Sequence, residues 1–114
     1  MKKLLLATVA SAAMATAVSA DDVKIGVFLG FTGPIESLVA QMGPGAEAAI
    51  AEVSASGSFM NGSTVTAIRA DTTCVDAGAA TAAAERLITS DKVSGIVGGD
   101  CSGPLTAGGW WSET

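Results

Sequence analysis

The fold is decided by the stretch Val23-Lys24-Ile25-Gly26-Val27-Phe28-Leu29, which ends at Gly30. It is short, mostly apolar and rich in β-branched residues, and it does not alternate between apolar and polar positions. Such a run is typical of a strand that is buried on both faces, as in a parallel sheet covered by helices. The stretch therefore predicts a buried strand of the parallel-sheet kind.

Two further strands are predicted downstream, over Thr64–Ala70 and Val93–Gly98. Helical segments at Gly45–Ser56 and Ala77–Thr89 separate the three strands. The resulting β-α-β-α-β order requires parallel strands joined by right-handed crossovers. We therefore expect an α/β fold, a three-layer sandwich in which the strands follow the order 2-1-3.

Both helical segments carry apolar residues at helical spacing, which predicts one buried face on each. Asp76 is expected to cap the second helix at its N-terminus, and Asn61-Gly62-Ser63 is expected to form a turn. The residues expected on the buried faces are Ala46, Ala49, Ile50 and Val53 in the first helix, and Ala80, Ala83, Ala84, Leu87 and Ile88 in the second.

The N-terminus has the pattern of a secretory signal peptide over residues 1–20. Met1-Lys2-Lys3 is basic, residues 4–18 are rich in Leu, Ala and Val, and Val18-Ser19-Ala20 is a small-x-small cleavage site before Asp21. A transmembrane helix is the alternative, but Ser, Thr and many Ala residues dilute this segment. We expect export to the periplasm and a mature chain that begins at Asp21.

Composition excludes several classes of function. The chain has 11 acidic and 6 basic residues and a formal charge of −5, which argues against nucleic-acid binding because that depends on neutralising phosphates. It contains no His, so histidine-based acid–base catalysis and His metal ligation are excluded. We expect no metal and no cofactor.

The chain has two cysteines, Cys74 and Cys101, whose spacing is neither CxxC nor typical of zinc ligands. In a protein bound for an oxidising compartment, a structural disulfide is the default interpretation. Two free, buried thiols are the alternative. The residues alone leave both open.

Ligands of open α/β sheets bind beyond the carboxyl ends of the strands, near the point where strand order reverses. The 2-1-3 order brings two segments to that point, Gly30–Pro34 and Gly99–Gly103. The second places the Ser102 hydroxyl and backbone N–H groups at a helix N-terminus, which suits a carboxylate or phosphate. The alternative role for Ser102 is to cap its own helix.

A dinucleotide site is the rival interpretation of the same region. The glycines Gly26, Gly30 and Gly33 do not have the G-x-G-x-x-G spacing. The second predicted strand ends at Ala70, which leaves Asp71 one residue late for the acidic residue of such a site. The sequence also has no P-loop, no G-x-S-x-G motif and no nucleophile–His pair, so we expect no enzymatic activity.

The motifs occur in an order that resembles the branched-chain amino acid (leucine/isoleucine/valine) binding proteins of ABC transporters, which have the type I periplasmic binding fold. The resemblance covers residues 1–107. The segments that carry it, besides the signal peptide and the first strand, are Gly30-Phe31-Thr32-Gly33-Pro34, Gly45–Val53, Asp71-Thr72-Thr73-Cys74-x-Asp76, Leu87-Ile88 and Gly98-Gly99-Asp100-Cys101-Ser102.

The resemblance implies two α/β lobes that close over one amino acid and then dock on a membrane permease. It implies a disulfide between Cys74 and Cys101, and a role for Ser102 in holding the ligand's α-carboxylate. Asp100 and Cys101, which precede Ser102, are expected to be further ligand-binding residues. The family's aromatic pocket position after Gly33-Pro34 is occupied by Leu38, a departure that bears on specificity for leucine-type ligands. The expected partners are a small amino acid and an ABC permease, and the protein is expected to be a monomer.

By the same resemblance, residues 21–107 correspond to part of the first lobe, and residues 108–114 do not match the family. We therefore interpret the chain as an N-terminal fragment, a truncated copy. Two alternatives remain: a sensory receptor domain with the same fold, and a truncated reading frame without function.

Overall fold

The computed structural model of the chain describes residues 21–103. The predicted signal peptide at 1–20 and the tail at 108–114 lie outside the described residues. The elements are strand β1 Asp22–Leu29, helix α1 Glu36–Ala55, a short 3₁₀ helix Phe59–Gly62, strand β2 Thr64–Asp71, helix α2 Ala77–Glu85, a π-helical turn Arg86–Ser90 and strand β3 Gly95–Gly98. The described part contains no helix that is both long and apolar enough to cross a membrane.

The three strands form one parallel sheet in the order β2-β1-β3. In the register of β1 with β2, Leu29 stands opposite Asp71, and in that of β1 with β3, Phe28 stands opposite Gly98. The predicted α/β class, the parallel pairing and the 2-1-3 order are confirmed. Because the strands are parallel, their carboxyl ends meet at one edge of the sheet.

β1 is buried on both faces, as its sequence predicts. Side chains alternate across a strand, so Phe28, 1% exposed, faces α2, and Val27, 0% exposed, faces α1. The cluster on the α2 side contains Phe28, Ala70, Ala80, Ala84 and Leu87. The cluster on the α1 side contains Val27, Leu29 and Val39, with partly buried residues from β2 and α1 around it. Each face of the central strand therefore has its own core.

Helix α1 is longer than predicted. It begins at Glu36 instead of Gly45 and passes through Pro44, although proline in a helix interior removes one backbone donor and usually breaks the helix. Burial explains the difference, because the first turn is anchored by Val39, which is 1% exposed, and Gly43 packs against the ring of Phe31. Tertiary packing therefore outweighs the local preference of Pro44.

The predicted buried face of α1 is only half right. Ala46 and Ile50 pack against the core, whereas Ala49 and Val53 are exposed. Ser54, also on this helix, accepts a hydrogen bond at 2.9 Å from the backbone N–H of Val65 in β2. The helix therefore leans toward β2 and leaves part of its apolar face uncovered.

In α2, Asp76 is the N-cap, as predicted, and its side chain accepts from the N–H of Ala79 at 3.0 Å. The regular helix ends at Glu85, and the π-helical turn follows. A π turn widens the helix and rotates the residues after it. As a result Leu87 is fully buried, while Ile88, expected on the same face, is 49% exposed, so that expectation is wrong.

β3 begins at Gly95, two residues after the predicted start at Val93. Lys92 has a left-handed φ of 53°, and the N–H of Val93 donates back to the carbonyl of Leu87 at 3.0 Å. These residues close the π-helical turn instead of extending the strand. The predicted turn at 61–63 falls on the end of the 3₁₀ helix, where Asn61 is left-handed and Ser63 is the C-cap.

Candidate functional site

The loops that follow the three strands lie side by side at the carboxyl edge of the sheet. We call residues 30–34, 71–74 and 99–103 the strand-end edge. β1 is followed by Gly30, β2 ends at Asp71 and β3 ends at Gly98. This edge is the location where an open α/β sheet binds its ligand, and all of the predicted site residues except Leu38 belong to it.

Asp100 connects the loop after β3 to the other two loops. One of its carboxylate oxygens accepts from the backbone N–H of Gly30 at 2.8 Å, and the other accepts from the Thr72 hydroxyl at 3.4 Å. Thr72 is 1% exposed, and its own N–H donates to the carbonyl of Leu29 at 2.9 Å. Asp100 therefore joins the ends of all three strands.

Asp71 organises the other side of the edge. Its carboxylate accepts from the hydroxyl of Thr32 at 2.5 Å, from the N–H of Thr32 at 3.2 Å and from the N–H of Thr73 at 2.8 Å. Burial by itself would raise the pKa of the Asp71 carboxyl, but the hydrogen bonds from Thr32, Thr73 and Phe31 outweigh it and hold that pKa below its usual value. Asp71 is therefore stabilised as a carboxylate.

Asp71 is also a correction to the sequence analysis, which ended the second strand at Ala70. The strand includes Asp71 as its last residue, so an acidic residue does end β2. Its carboxylate accepts hydrogen bonds from the chain's own loops. The argument against a dinucleotide site then depends on the glycine spacing alone.

Cys74 and Cys101 form a disulfide, as the resemblance implies, with their Cα atoms 5.4 Å apart. The strands that carry these loops flank β1 and therefore stand roughly 10 Å apart, so both loops lean over the end of β1. Thr73 and Cys74 have left-handed φ values of 54° and 68°, a region that non-glycine residues rarely adopt. This backbone turn directs Cys74 toward Cys101.

Two glycines allow the backbones of the edge to approach one another. Gly98 has a φ of 132°, and a Cβ there would collide with the carbonyl oxygen of Phe28. Gly33 has a φ of 97°, and a Cβ there would collide with the carbonyl oxygen of Thr73. Glycine is needed at both positions because only a residue without Cβ fits this conformation and this contact.

The predicted ligand-binding residues fall into two groups. Asp100, Cys101 and Ser102 are consecutive in the loop after β3, where Ser102 is exposed and begins a helical turn with Gly103. Leu38 lies in the first turn of α1 and is 66% exposed. The structure brings the first group to the Gly30 loop through Asp100, whereas Leu38 is carried by a separate element.

Sequence reasoning did not find the roles of Thr72 and Thr32. Both are threonines next to glycine or aspartate in loops, which is a common composition without specific meaning. The signal that could have found Thr72 is its position directly after a buried strand. A polar residue there must find a partner inside the protein, and Asp100 is that partner.

Other features of the described residues lie on the α1 side of the sheet. Arg69 forms a bidentate ion pair with Glu47 and stacks over the ring of Phe31, 4.7 Å from its centroid. The hydrogen bond from Arg69 lowers the pKa of the Glu47 carboxyl.

An apolar groove of about 290 Å³ lies on the α1 side of the sheet. It is lined by Ile25, Ala49, Ile50, Val53, Phe59, Val65 and Val97. Within residues 21–103, no group of three or more His, Cys, Asp and Glu residues is placed to hold a metal ion.

Comparison with known proteins decides the family. The family model described as periplasmic binding protein matches residues 22–109, which include the whole described part of the chain except Asp21. The chain belongs to the periplasmic binding protein family. Relatives include the Leu/Ile/Val-binding protein homolog 7 of Brucella melitensis, 35% identical over 99% of this chain and 28% of that relative. The homolog 7 of Brucella abortus is 33% identical over 98% of this chain and 27% of its own length.

Solved structures of this family share the fold described here. The branched-chain amino acid transporter substrate binding protein LivJ of Streptococcus pneumoniae, in complex with isoleucine, matches with a TM-score of 0.68 at 26% identity. The leucine binding protein LivK of Thermotoga maritima matches with a TM-score of 0.66 at 30% identity. They cover 77% and 80% of this chain, and each match spans 25% of the other protein. The parallel sheet with its helices is therefore part of the type I periplasmic binding fold, and the chain spans about a quarter of the length of its relatives.

Proposed function

We propose that this chain is part of the extracytoplasmic solute-binding component of an ABC transporter that imports branched-chain or related amino acids. The observation that carries the proposal is the strand-end edge, where Asp100 and the disulfide hold three loops together at the ligand position of the fold. Relatives with this segment are named for binding leucine, isoleucine and valine. One of the similar solved structures contains isoleucine.

In this proposal Ser102 holds the α-carboxylate of the ligand. A hydroxyl and backbone N–H groups at the start of a helical turn are suitable donors for a carboxylate. Asp100 and Cys101 hold the same loop in place, and Leu38 contributes apolar surface for the ligand side chain. The ammonium group and the rest of the side chain require residues from the part of the relatives that this chain does not span.

In this proposal the protein is exported to the periplasm and acts there. A basic start, an apolar segment and a small-x-small site at Val18-Ser19-Ala20 direct export and cleavage. The partner is a membrane permease of the ABC type, and the protein acts as a monomer. Intact-mass measurement of periplasmic material checks the first step, with a chain that begins at Asp21 as the expected result. Recovery only as an uncleaved membrane species would contradict it.

The binding role is tested in a hybrid protein. Residues 21–103 of this chain replace the matching residues of the Brucella melitensis relative, and binding of leucine, isoleucine and valine is measured by calorimetry beside that relative. We expect the hybrid to bind at least one of the three. A hybrid that melts cooperatively but binds none of them, while the relative does, contradicts the proposal and favours a reading frame without function.

Ser102→Ala in the same hybrid tests the carboxylate contact. The loss of a hydrogen bond to a charged group should weaken binding by about 1–2 kcal/mol. Ser58→Ala is the control, since Ser58 is exposed and its hydrogen bonds are local, with Ser56. Unchanged affinity for Ser102→Ala would leave Ser102 only the role of capping its helix.

A further inference from the structure

We infer that Asp100 is a positioning residue, which sets the loop after β3 against the loop after β1 through the N–H of Gly30, and does not itself contact the ligand. This inference rests on the proposed function, because the loop that Asp100 holds carries Ser102. It assigns Asp100 a role different from the direct contact that its place beside Ser102 suggests.

The hydrogen bonds of the Asp100 carboxylate argue against a direct contact between Asp100 and the ligand. Both carboxylate oxygens accept hydrogen bonds from the chain, one from Gly30 at 2.8 Å and one from Thr72 at 3.4 Å. The Thr72 partner is almost completely buried, so the carboxylate is directed into the protein. A carboxylate is also the wrong partner for a ligand carboxylate, since like charges repel.

The contact with Gly30 determines how far the two loops stand apart. Gly30 is buried, and a Cβ there would meet the side chain of Ile35 at 3.1 Å and the Thr72 hydroxyl at 3.4 Å. The backbone at Gly30 is therefore held close to Ile35 and to the end of β2, with little space to shift. Gly99 adds a second link, since its N–H donates to the carbonyl of Phe28 at 2.9 Å. Asp100, in the loop after β3, accepts the hydrogen bond from the Gly30 N–H.

The disulfide cannot supply the same contact. It joins the loops after β2 and β3, whereas the loop after β1 is reached by Asp100 through Gly30. Thr72, which follows β2, also donates a hydrogen bond to Asp100. Without Asp100, the Gly30–Pro34 loop would keep its bond to Asp71 through Thr32 but lose the hydrogen bond from the Gly30 N–H to the loop that carries Ser102.

The test measures hydrogen exchange of the Gly30 amide by NMR in the full chain, with the disulfide intact. In Asp100→Ala we expect Gly30 to exchange roughly ten- to hundredfold faster, since its acceptor is lost. In Asp100→Asn the side-chain carbonyl can still accept from Gly30 and the amide group can donate to Thr72, so exchange should stay within about threefold of the parent. Rescue by Asn and not by Ala is the expected signature.

Asp76→Ala is the matched control, because Asp76 also accepts from a backbone N–H, that of Ala79 at 3.0 Å, but at the start of α2. It should leave the Gly30 amide unchanged. The amides of Ala80 and Leu87 report on the fold as a whole in every sample. Equal acceleration of those amides with Gly30 in Asp100→Ala would overturn the inference, because Asp100 would then support only global stability. The inference would also be overturned if the Gly30 amide exchanged at the same rate in the parent and in both variants, or if it were unprotected in the parent.

Ligand binding is measured in a separate experiment, so that the proposed function and the positioning role fail in different ways. In the hybrid protein, Asp100→Ala should weaken leucine binding about tenfold, and Asp100→Asn should leave it nearly unchanged. If the parent hybrid does not bind leucine but the Gly30 amide follows the expected pattern, the proposed function fails and the positioning of the loop stands. If the hybrid binds leucine and Asp100→Ala binds it equally well, the positioning role in binding is wrong.

Discussion

The strand-end edge and the α1 side of β3 are built in opposite ways. At the edge, the chain closes on itself through the Asp100 and Asp71 hydrogen bonds and the disulfide. On the α1 side of β3, Val97 is 51% exposed and lines an apolar groove that no described residue fills. The difference shows that the edge is held by specific internal contacts, whereas the groove is lined by apolar side chains.

Neighbouring residues of β3 show the contrast most clearly. Ile96 packs against the α2-side core that contains Phe28 and Leu87. Val97, the next residue, points to the other side, where it pairs in register with Val27 of β1, lines the apolar groove beside α1 and is half exposed. The covering of the sheet therefore depends on the face, and β3 is only half enclosed by the described residues.

The largest expected effect is at the disulfide. Replacing both Cys74 and Cys101 by Ser should lower the free energy of unfolding of the mature chain, which begins at Asp21, by roughly 3–4 kcal/mol. The reason is the conformational freedom that the unfolded chain regains when the bond across these two loops is lost. Urea unfolding of the parent under oxidising and reducing conditions checks the value, and a loss below about 1 kcal/mol would contradict the role of the bond.

Gly98→Ala should cost about 3 kcal/mol, because the new Cβ meets the Phe28 carbonyl oxygen and the residue has a positive φ. Gly95→Ala, at the start of the same strand, is the control, since its Cβ would meet only Ile25 at an ordinary 3.8 Å. Thermal melts of the two variants measure the difference. Equal stability of the two would show that the close approach at the strand-end edge is not needed.

The two sides of β3 are compared directly by Ile96→Ala and Val97→Ala. Ile96→Ala should cost about 2 kcal/mol, because it removes packing from the α2-side core. Val97→Ala should cost less than about 0.5 kcal/mol, since half of that side chain is already exposed. A cost for Val97→Ala as large as that for Ile96→Ala would mean that residues outside the described part cover the groove.

The smallest effect is the pH dependence that Asp71 contributes. Its folded-state pKa is lowered by the hydrogen bonds from Thr32, Thr73 and Phe31, which outweigh burial. A lowered folded pKa adds stability above the unfolded pKa, and this stability is lost as the pH falls through the folded pKa. The stability difference between the parent and Asp71→Asn should therefore shrink below about pH 4. Urea unfolding of both proteins across this range measures it, and a difference that grows toward acid would contradict the assignment.

The fold could be predicted from the sequence to the extent that local patterns decide it. The buried run at 23–29 and the spacing of the strands indicate the parallel sheet and its order. The start of α1 could not be predicted from the sequence, because Pro44 indicates a helix break. Only the packing of Val39 and Gly43 outweighs that indication. The exposure of Ile88 was missed for the same kind of reason, since a π turn carries no clear sequence pattern.

The site could be located but not described. The strand-end rule and the family resemblance pointed to Asp100, Cys101 and Ser102, and the disulfide is confirmed. The hydrogen bonds of Asp100 to Gly30 and Thr72 join residues 70 and 28 positions apart. Contacts of that range depend on the register of the strands and on loop conformation, which no local pattern specifies.

We infer that this chain holds one part of an amino-acid site and needs further groups from the three quarters of its relatives that it does not span. Calorimetric titration of leucine into the purified mature chain tests this claim. A ligand held only through its carboxylate at an open edge should bind with a dissociation constant weaker than ~1 mM, about −4 kcal/mol. Micromolar binding by the mature chain alone would contradict the claim.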